Sequence, residues 1–296
     1  MLEIKLIHCP IDFSEFSVRA YCYAQSLAEH YRSKLVLQHI VEEWRHPCAS
    51  FAATASLYDE YCQSLRGSGK EQLLEFVKNH TLIKPQPEFI VDQGIAPDMI
   101  LSFAQAQKSD LIVMGTHGLR GFDRLMLGSA TERVMRRAPC PVMAVHEPTH
   151  DSIAADQGRH HPHHLDRILA CTDFSEDSDL ALNYAISAAG EYDAELTLLH
   201  VLEEVPSPSK MEEAIAAATE QLENLIPPER RKTLKIKTAV RTGKPYREII
   251  QLAQQAQTDL VSMGVRGRGA LDLAIFGSTT YRVTQLGPCP VLTAHV

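Results

Sequence analysis

The sequence predicts an α/β protein built as two tandem doubly wound, Rossmann-like domains, each with a five-stranded parallel sheet of order 3-2-1-4-5. Three observations carry that expectation. The chain repeats itself: at an offset of 149, Asp110–Val145 aligns with Asp259–Ala294, and 15 of those 36 positions are identical. At an offset of 161, "DFSE" at Asp12–Glu15 aligns with "DFSE" at Asp173–Glu176, and "HIVEE" from His39 with "HVLEE" from His200. Within each copy, short runs that are apolar throughout alternate with segments of helical periodicity, the pattern of a parallel sheet covered on both faces. The length of 296 residues suits two domains of ordinary size.

In the first copy "IKLIHC" reads as a buried strand, and "SEFSVRAYCYAQSLAEHY" as a helix with Val18, Tyr21, Cys22 and Leu27 at helical spacing. "KLVLQHIV" follows as strand, Leu57–His80 as helix, "PEFIV" as strand and Pro97–Gln107 as helix. "DLIVMG" is then a strand, "LGSATERVMRRA" a helix and "PVMAV" the last strand. The two offsets differ by 12 residues, which places a longer middle segment in the first copy between Trp44 and Ser109. Domains are expected at 1–146 and 166–296. The polar stretch 147–165, "EPTHDSIAADQGRHHPHHL", suits an exposed linker.

Composition narrows the function classes. The chain is 45% hydrophobic and 22% charged, and its net charge of -8 is spread over mixed-sign sequence without long blocks. Neither a nucleic-acid footprint nor a membrane-binding basic patch is expected. With no apolar run of about 18 residues and a charged, interrupted start, "MLEIKLIHCPID", the expected location is cytoplasmic. Seven cysteines, Cys9, Cys22, Cys48, Cys62, Cys140, Cys171 and Cys289, include no C-x-x-C pair. They read as packing or free thiols. The histidines of "HHPHH" at 160–164 lie in the linker without the spacing of one helix face, and they read as solvated rather than metal-binding.

The chemistry is expected where two repeated motifs meet. In an open parallel sheet of this order the ligand crevice lies at the carboxyl ends of the first and fourth strands, where the winding reverses. "DFSE" leaves the first strand and "MG..G" leaves the fourth. Gly115 and Gly118, and equally Gly264 and Gly267, are expected to give the loop positive φ and to let backbone N–H groups approach an anion. Gly128-Ser129 and Gly277-Ser278 then open a helix whose N-terminus favours phosphate. No lysine follows the last glycine, so this is not a Walker A loop. Asp12 and Asp173 have two readings: caps of the next helix, with Glu15 and Glu176 completing a capping box, or acceptors for ribose or base. His39 and His200 read as structural.

These residues resemble the universal stress protein family, in a tandem form covering nearly the whole chain. The family pattern G-x2-G-x9-G-[ST] is matched at Gly115, Gly118, Gly128 and Ser129, and again at Gly264, Gly267, Gly277 and Ser278. The resemblance implies ATP or another adenine nucleotide in each domain, with or without Mg²⁺. It sets Pro10, Ile11 and Asp12, and Cys171, Thr172 and Asp173, beside the adenosine. Ile40 and Val201 would offer backbone to the adenine. Met114, His117, Ala130 and Thr131, with Met263, Arg266, Thr279 and Thr280, complete the two glycine-loop sites for ribose and phosphates.

The copies differ at His117 against Arg266, and at Pro10-Ile11 against Cys171-Thr172. A guanidinium inside the second loop is expected to engage phosphate in paired hydrogen bonds.

The expected function is nucleotide-dependent regulation in a stress response. A slow ATPase or phosphotransferase is the alternative, disfavoured because the crevice motifs lack a loop lysine and a clear acidic pair for Mg²⁺. A nucleotide-independent scaffold is the third reading. Expected partners are the nucleotide and the chain's own other domain, paired through the last strands, with homodimerisation a further option.

Overall fold

The computed structural model describes residues 3–41, 55–81, 86–118, 126–146, 164–203, 208–267 and 276–295. The expected linker lies outside the described residues except for its last two, as do Trp44, Cys48 and all but the last of the "HHPHH" histidines. The first half runs β1 (Leu6–Ile11), α1 (Glu15–Tyr31), β2 (Lys34–Val41), α2 (Ala55–His80), β3 (Glu88–Gln93), α3 (Ala96–Gln107), β4 (Leu111–Gly115), α4 (Ser129–Arg137) and β5 (Val142–Val145). The second runs β6 (Arg167–Cys171), α5 (Glu176–Tyr192), β7 (Glu195–Leu202), α6 (Met211–Asn224), α7 (Pro228–Arg231), β8 (Lys235–Thr242), α8 (Pro245–Gln255), β9 (Leu260–Gly264), α9 (Ser278–Leu286) and β10 (Val291–Ala294).

All ten strands join one sheet in the order β3-β2-β1-β4-β5-β10-β9-β6-β7-β8. Each half is thus the expected 3-2-1-4-5, and within each half every pairing is parallel. The halves meet where β5 and β10 pair antiparallel, Val142 opposite Thr293 and Ala144 opposite Val291. The last strands therefore cover one another, which removes two exposed edges. Because this junction is antiparallel, the carboxyl ends of the two sets of strands lie at opposite ends of the sheet.

Residues of alternating parity feed two layers. On one face Ile7, Leu37 and Val113 pack with Tyr21 and Leu73 of α1 and α2, and this core continues through Met143 and Leu292 to Ile168, Leu196 and Ala185. On the other face α3 and α4 cover Ile112, Met114 and Ala144, and α8 and α9 separately cover Leu169, Val261 and Val291. Each fully buried Leu or Ile contributes about 1.5–3 kcal/mol. The helix face shared by the halves is further closed by His30 stacked on Tyr192, 3.9 Å between centroids. Near the seam, buried His146 donates through Nε2 to the carbonyl of Gly287 at the end of α9.

The longer middle of the first copy includes α2, 26 residues against 14 in α6. The capping expectation for the aspartates is corrected. Ser14 and Ser175 cap α1 and α5, accepting from Ser17 N at 3.2 Å and Ser178 N at 3.4 Å. Asp12 and Asp173 instead hold those serines.

Candidate functional site

Each crevice begins at a strained turn. After β1 the chain turns at Phe13 with φ 65°, and after β6 at Phe174 with φ 62°. Bulky residues adopt this left-handed conformation at a cost of about 1–2 kcal/mol. Packing holds it: Phe13 and Phe174 lie 4.5 Å, centroid to centroid, from His39 and His200. Each imidazole Nδ1 is 2.8 Å from the carbonyl of the residue ending or following the first strand, Ile11 or Thr172. The two histidines are structural, as expected. The phenylalanines were not singled out in the sequence, although they stand inside the repeated "DFSE".

The turn aims the aspartate. Asp12 Oδ1 accepts from Ser14 N at 3.0 Å and from Ser14 Oγ at 2.6 Å, and Asp173 Oδ1 accepts from Ser175 N at 3.1 Å and Oγ at 2.6 Å. The second oxygen then faces the glycine loop. A Cβ built on Gly118 would stand 2.7 Å from Asp12 Oδ2, and one on Gly267 2.8 Å from Asp173 Oδ2. Two motifs about a hundred residues apart thus meet, twice, at the carboxyl ends of the first and fourth strands.

The expected reason for the glycines is corrected. Positive φ among the described glycines occurs at Gly94 and Gly243, and at none of the six glycines of the two motifs. Those six are set by close approach. A Cβ on Gly115 would meet Phe16 Cβ at 2.7 Å and its backbone carbon at 2.9 Å, and one on Gly264 would meet Ser178 N at 2.8 Å. Gly128 and Gly277 donate to the carbonyls of Thr116 and Val265, folding the loop back on its own start, and a Cβ there would strike those same carbonyls. They also occupy the N-cap positions of α4 and α9, so Ser129 and Ser278 are the first helical residues and are exposed. Among the described residues no side chain caps the N-terminal amides of either helix, the groups that suit an anion. Residues 119–125 and 268–275, the middle of each loop, lie outside the described residues.

The remaining candidates divide by burial. Ala130 and Thr279 are half-buried beside the exposed serines, whereas Thr131 and Thr280 are buried and donate at 2.8 Å to the carbonyls of Gly115 and Gly264. Their hydroxyl protons serve the loop itself. Met114 and Met263 are packed into the cores under α3–α4 and α8–α9. Ile11 belongs to the opposite core and Cys171 to that under α8–α9, while Pro10 is buried. Thr172 Oγ1 accepts from Phe174 N at 2.9 Å.

Ile40 and Val201 have an edge to offer. Val41 and Leu202 accept from Gly94 and Gly243 on the outer side of β2 and β7, so by alternation the peptide groups of Ile40 and Val201 face inward. There β1 and β6 have already ended. Gly94 and Gly243, which hold this rim, were missed in the sequence. They align at the offset of 149, and that was the available signal.

The expectation for Arg266 is corrected. Its guanidinium lies in a paired contact with buried Asp177 of α5, Nε to Oδ2 at 2.8 Å and Nη2 to Oδ1 at 3.0 Å, and its backbone N–H reaches the same carboxylate at 3.1 Å. In the first copy the same two positions hold Phe16 and His117, whose rings lie 4.9 Å apart. His117 Nδ1 is 2.9 Å from Thr116 Oγ1. An ion pair and an aromatic contact thus do one job, fastening the start of the glycine loop to the first turn of the helix that follows "DFS".

Among the described residues, no group of three or more His, Cys, Asp or Glu is placed to hold a metal ion. No described helix is long and apolar enough to cross a membrane. His164 lies 2.8 Å from Asp166. The described cysteines, Cys9, Cys22, Cys140, Cys171 and Cys289, are free thiols. Burial pushes each thiol up, Cys140 to about 12, in keeping with packing roles.

Fold and site together define a fused pair of doubly wound domains, each with a glycine-loop crevice at its switch point. The universal stress protein family model matches residues 3–146 and 164–295. The chain belongs to that family, twice over. It is 32% identical over 146 residues to universal stress protein MJ0531 of Methanocaldococcus jannaschii, a match covering 49% of this chain and 83% of that protein. It is 29% identical over 198 residues to universal stress protein Rv2005c of Mycobacterium tuberculosis, covering 64% of this chain and 63% of that protein's length. The crystal structure of a universal stress protein from Archaeoglobus fulgidus superposes over 99% of this chain and 96% of its own, with a TM-score of 0.71 at 21% identity. That likeness extends the fold over both halves.

Proposed function

We propose that each domain binds an adenine nucleotide in its crevice, and that the bound state regulates association during a stress response. The observation that carries this reading is the duplicated meeting of Asp12 Oδ2 with Gly118 and of Asp173 Oδ2 with Gly267. A carboxylate fixed by its own serine suits ribose hydroxyls, which donate. The inward peptide edges of Ile40 and Val201 suit the donor and acceptor edge of adenine. The open N-termini of α4 and α9 suit phosphate. A cradle closed against any Cβ at Gly128 and Gly277 suits a ligand approached by backbone alone. Of the two crevice carboxylates, each has one oxygen engaged in its own turn, which favours holding a ligand over activating a nucleophile.

Mass analysis of nucleotide released from heat-denatured protein tests the reading, together with titration calorimetry. Two adenine nucleotides per chain are expected, reduced to one by Gly118→Glu. Two sites persisting in that variant would refute the assignment. Rapid ATP turnover abolished by a Gly128/Gly277 double substitution would favour an enzyme instead.

A further inference from the structure

The two crevices differ at their outer rim, where α3 packs beside α4 and α8 beside α9. In the second half, Tyr246 near the start of α8 is the centre of a basic group. Arg247 Cζ lies 5.8 Å and Arg282 Cζ 5.6 Å from its ring centroid, and Arg247 Nε donates to its hydroxyl at 3.0 Å. Lys244 is the N-cap residue of α8 and provides no side-chain cap. Arg282 stands four residues after Ser278 and so on the same side of α9, one turn below the N-terminus that faces the crevice. The hydrogen bond from Arg247, joined by the charges of Arg282 and Lys244, holds the Tyr246 phenol below its usual range.

The first half has the opposite character at the aligned positions. Ile95, Asp98, Glu132 and Arg133 stand where the second half has Lys244, Arg247, Tyr281 and Arg282. Asp98 lies 3.7 Å from Arg133 and neutralises it. With two acids and one base, these four positions carry -1 in the first half; with three bases they carry +3 in the second. Glu248, the acid in the first turn of α8, is engaged by Arg241 at 3.4 Å. Among the described residues no carboxylate pairs with Lys244, Arg247 or Arg282.

We propose that the second crevice selects polyphosphorylated nucleotides through the basic rim of Lys244, Arg247 and Arg282, while the first crevice does not distinguish phosphate number in this way. The proposal rests on the nucleotide reading of both crevices. Cations flanking a helix N-terminus add to the attraction for each extra phosphate charge, and the effect is screened by salt because the rim is exposed.

The test isolates one crevice at a time, with Gly118→Glu leaving the second and Gly267→Glu the first. Each is titrated with AMP and ATP at low and high salt. The ATP-to-AMP affinity ratio should be roughly five- to tenfold higher at the second crevice in low salt, and the excess should shrink as salt rises. Arg247→Asp, which installs the acid of the first half and takes these four positions from +3 to +1, should lower the ratio toward that of the first crevice. Asp98→Arg should raise the ratio at the first crevice. Equal ratios at the two crevices, or a ratio untouched by Arg247→Asp, would overturn the proposal while AMP binding left the nucleotide reading intact. Failure of both nucleotides to bind the unsubstituted protein would overturn both.

Discussion

Asp12 Oδ2 lies 2.7 Å from where a side chain on Gly118 would begin, so the carboxylate as placed and a Cβ at position 118 exclude one another. Gly118→Ala must displace the carboxylate from its place in the crevice. Gly118 is exposed, and the cost to folding should stay within about 1 kcal/mol. The affinity of the first site for nucleotide should fall at least about tenfold. Titration calorimetry with chemical denaturation of the same sample separates the two effects; loss of stability in proportion to loss of binding would contradict the assignment.

Gly115→Ala should behave in the reverse way. Its Cβ would meet the backbone of α1 at Phe16, where nothing flexible can yield. Forcing α1 away from β4 should cost about 1–3 kcal/mol in stability, read as a lower urea midpoint. Gly264→Ala should do the same through Ser178.

Removing Arg266 leaves Asp177 as a buried carboxylate short of its guanidinium. Arg266→His alone should destabilise by about 1–3 kcal/mol, the usual cost of leaving a buried polar group short of a partner. Adding Asp177→Phe transplants the pair found in the first half, Phe16 and His117, and should recover most of the loss. A double-mutant cycle measures the coupling; additive losses would show that the positions act independently.

Burial pushes His8 and His146 down to about 4, with a hydrogen bond to Gln38 or to Gly287 opposing it in part. Both are neutral in the folded protein and charge readily once unfolded, near 6.5. Their contribution is therefore fully present above about pH 6.5 and is lost as pH falls toward 4, by up to about 3 kcal/mol per histidine. The second half has Leu169 and Leu199 where the first has His8 and Gln38. The His8→Leu, Gln38→Leu variant should show a flatter dependence of urea midpoint on pH across that window. An unchanged slope would rule out His8 as a contributor.

Much of this was legible in the sequence because the repeat supplied an internal control. The alternation of strand and helix and the meeting of "DFS" with the glycine motif follow from periodicity, spacing and the switch-point rule. The strand order is the common one for such sheets, and the pairing of β5 with β10 rests on their being apolar edge strands and on the family resemblance. The reasons for individual residues did not. Glycines at 115, 118 and 128 look alike in sequence, yet each is excluded from bearing a Cβ by a different neighbour: a helix backbone, a carboxylate and a carbonyl. Arg266 could not be assigned without knowing that position 177 packs against it. The Phe13 turn is invisible to propensity, since a phenylalanine there opposes its own backbone preference and is held by His39 and Phe76.

An antiparallel join such as that of β5 to β10 relates two similar halves as a two-fold axis relates the subunits of a homodimer. In a homodimer every substitution at the axis or in a crevice is made on both sides at once. Fusion into one polypeptide lifts that obligation, and it keeps the two halves together at any dilution because their association is intramolecular. A change such as Phe16 and His117 on one side against Asp177 and Arg266 on the other can then accumulate without its mirror image. The chain is free to evolve as a heterodimer whose two subunits are always made in equal number.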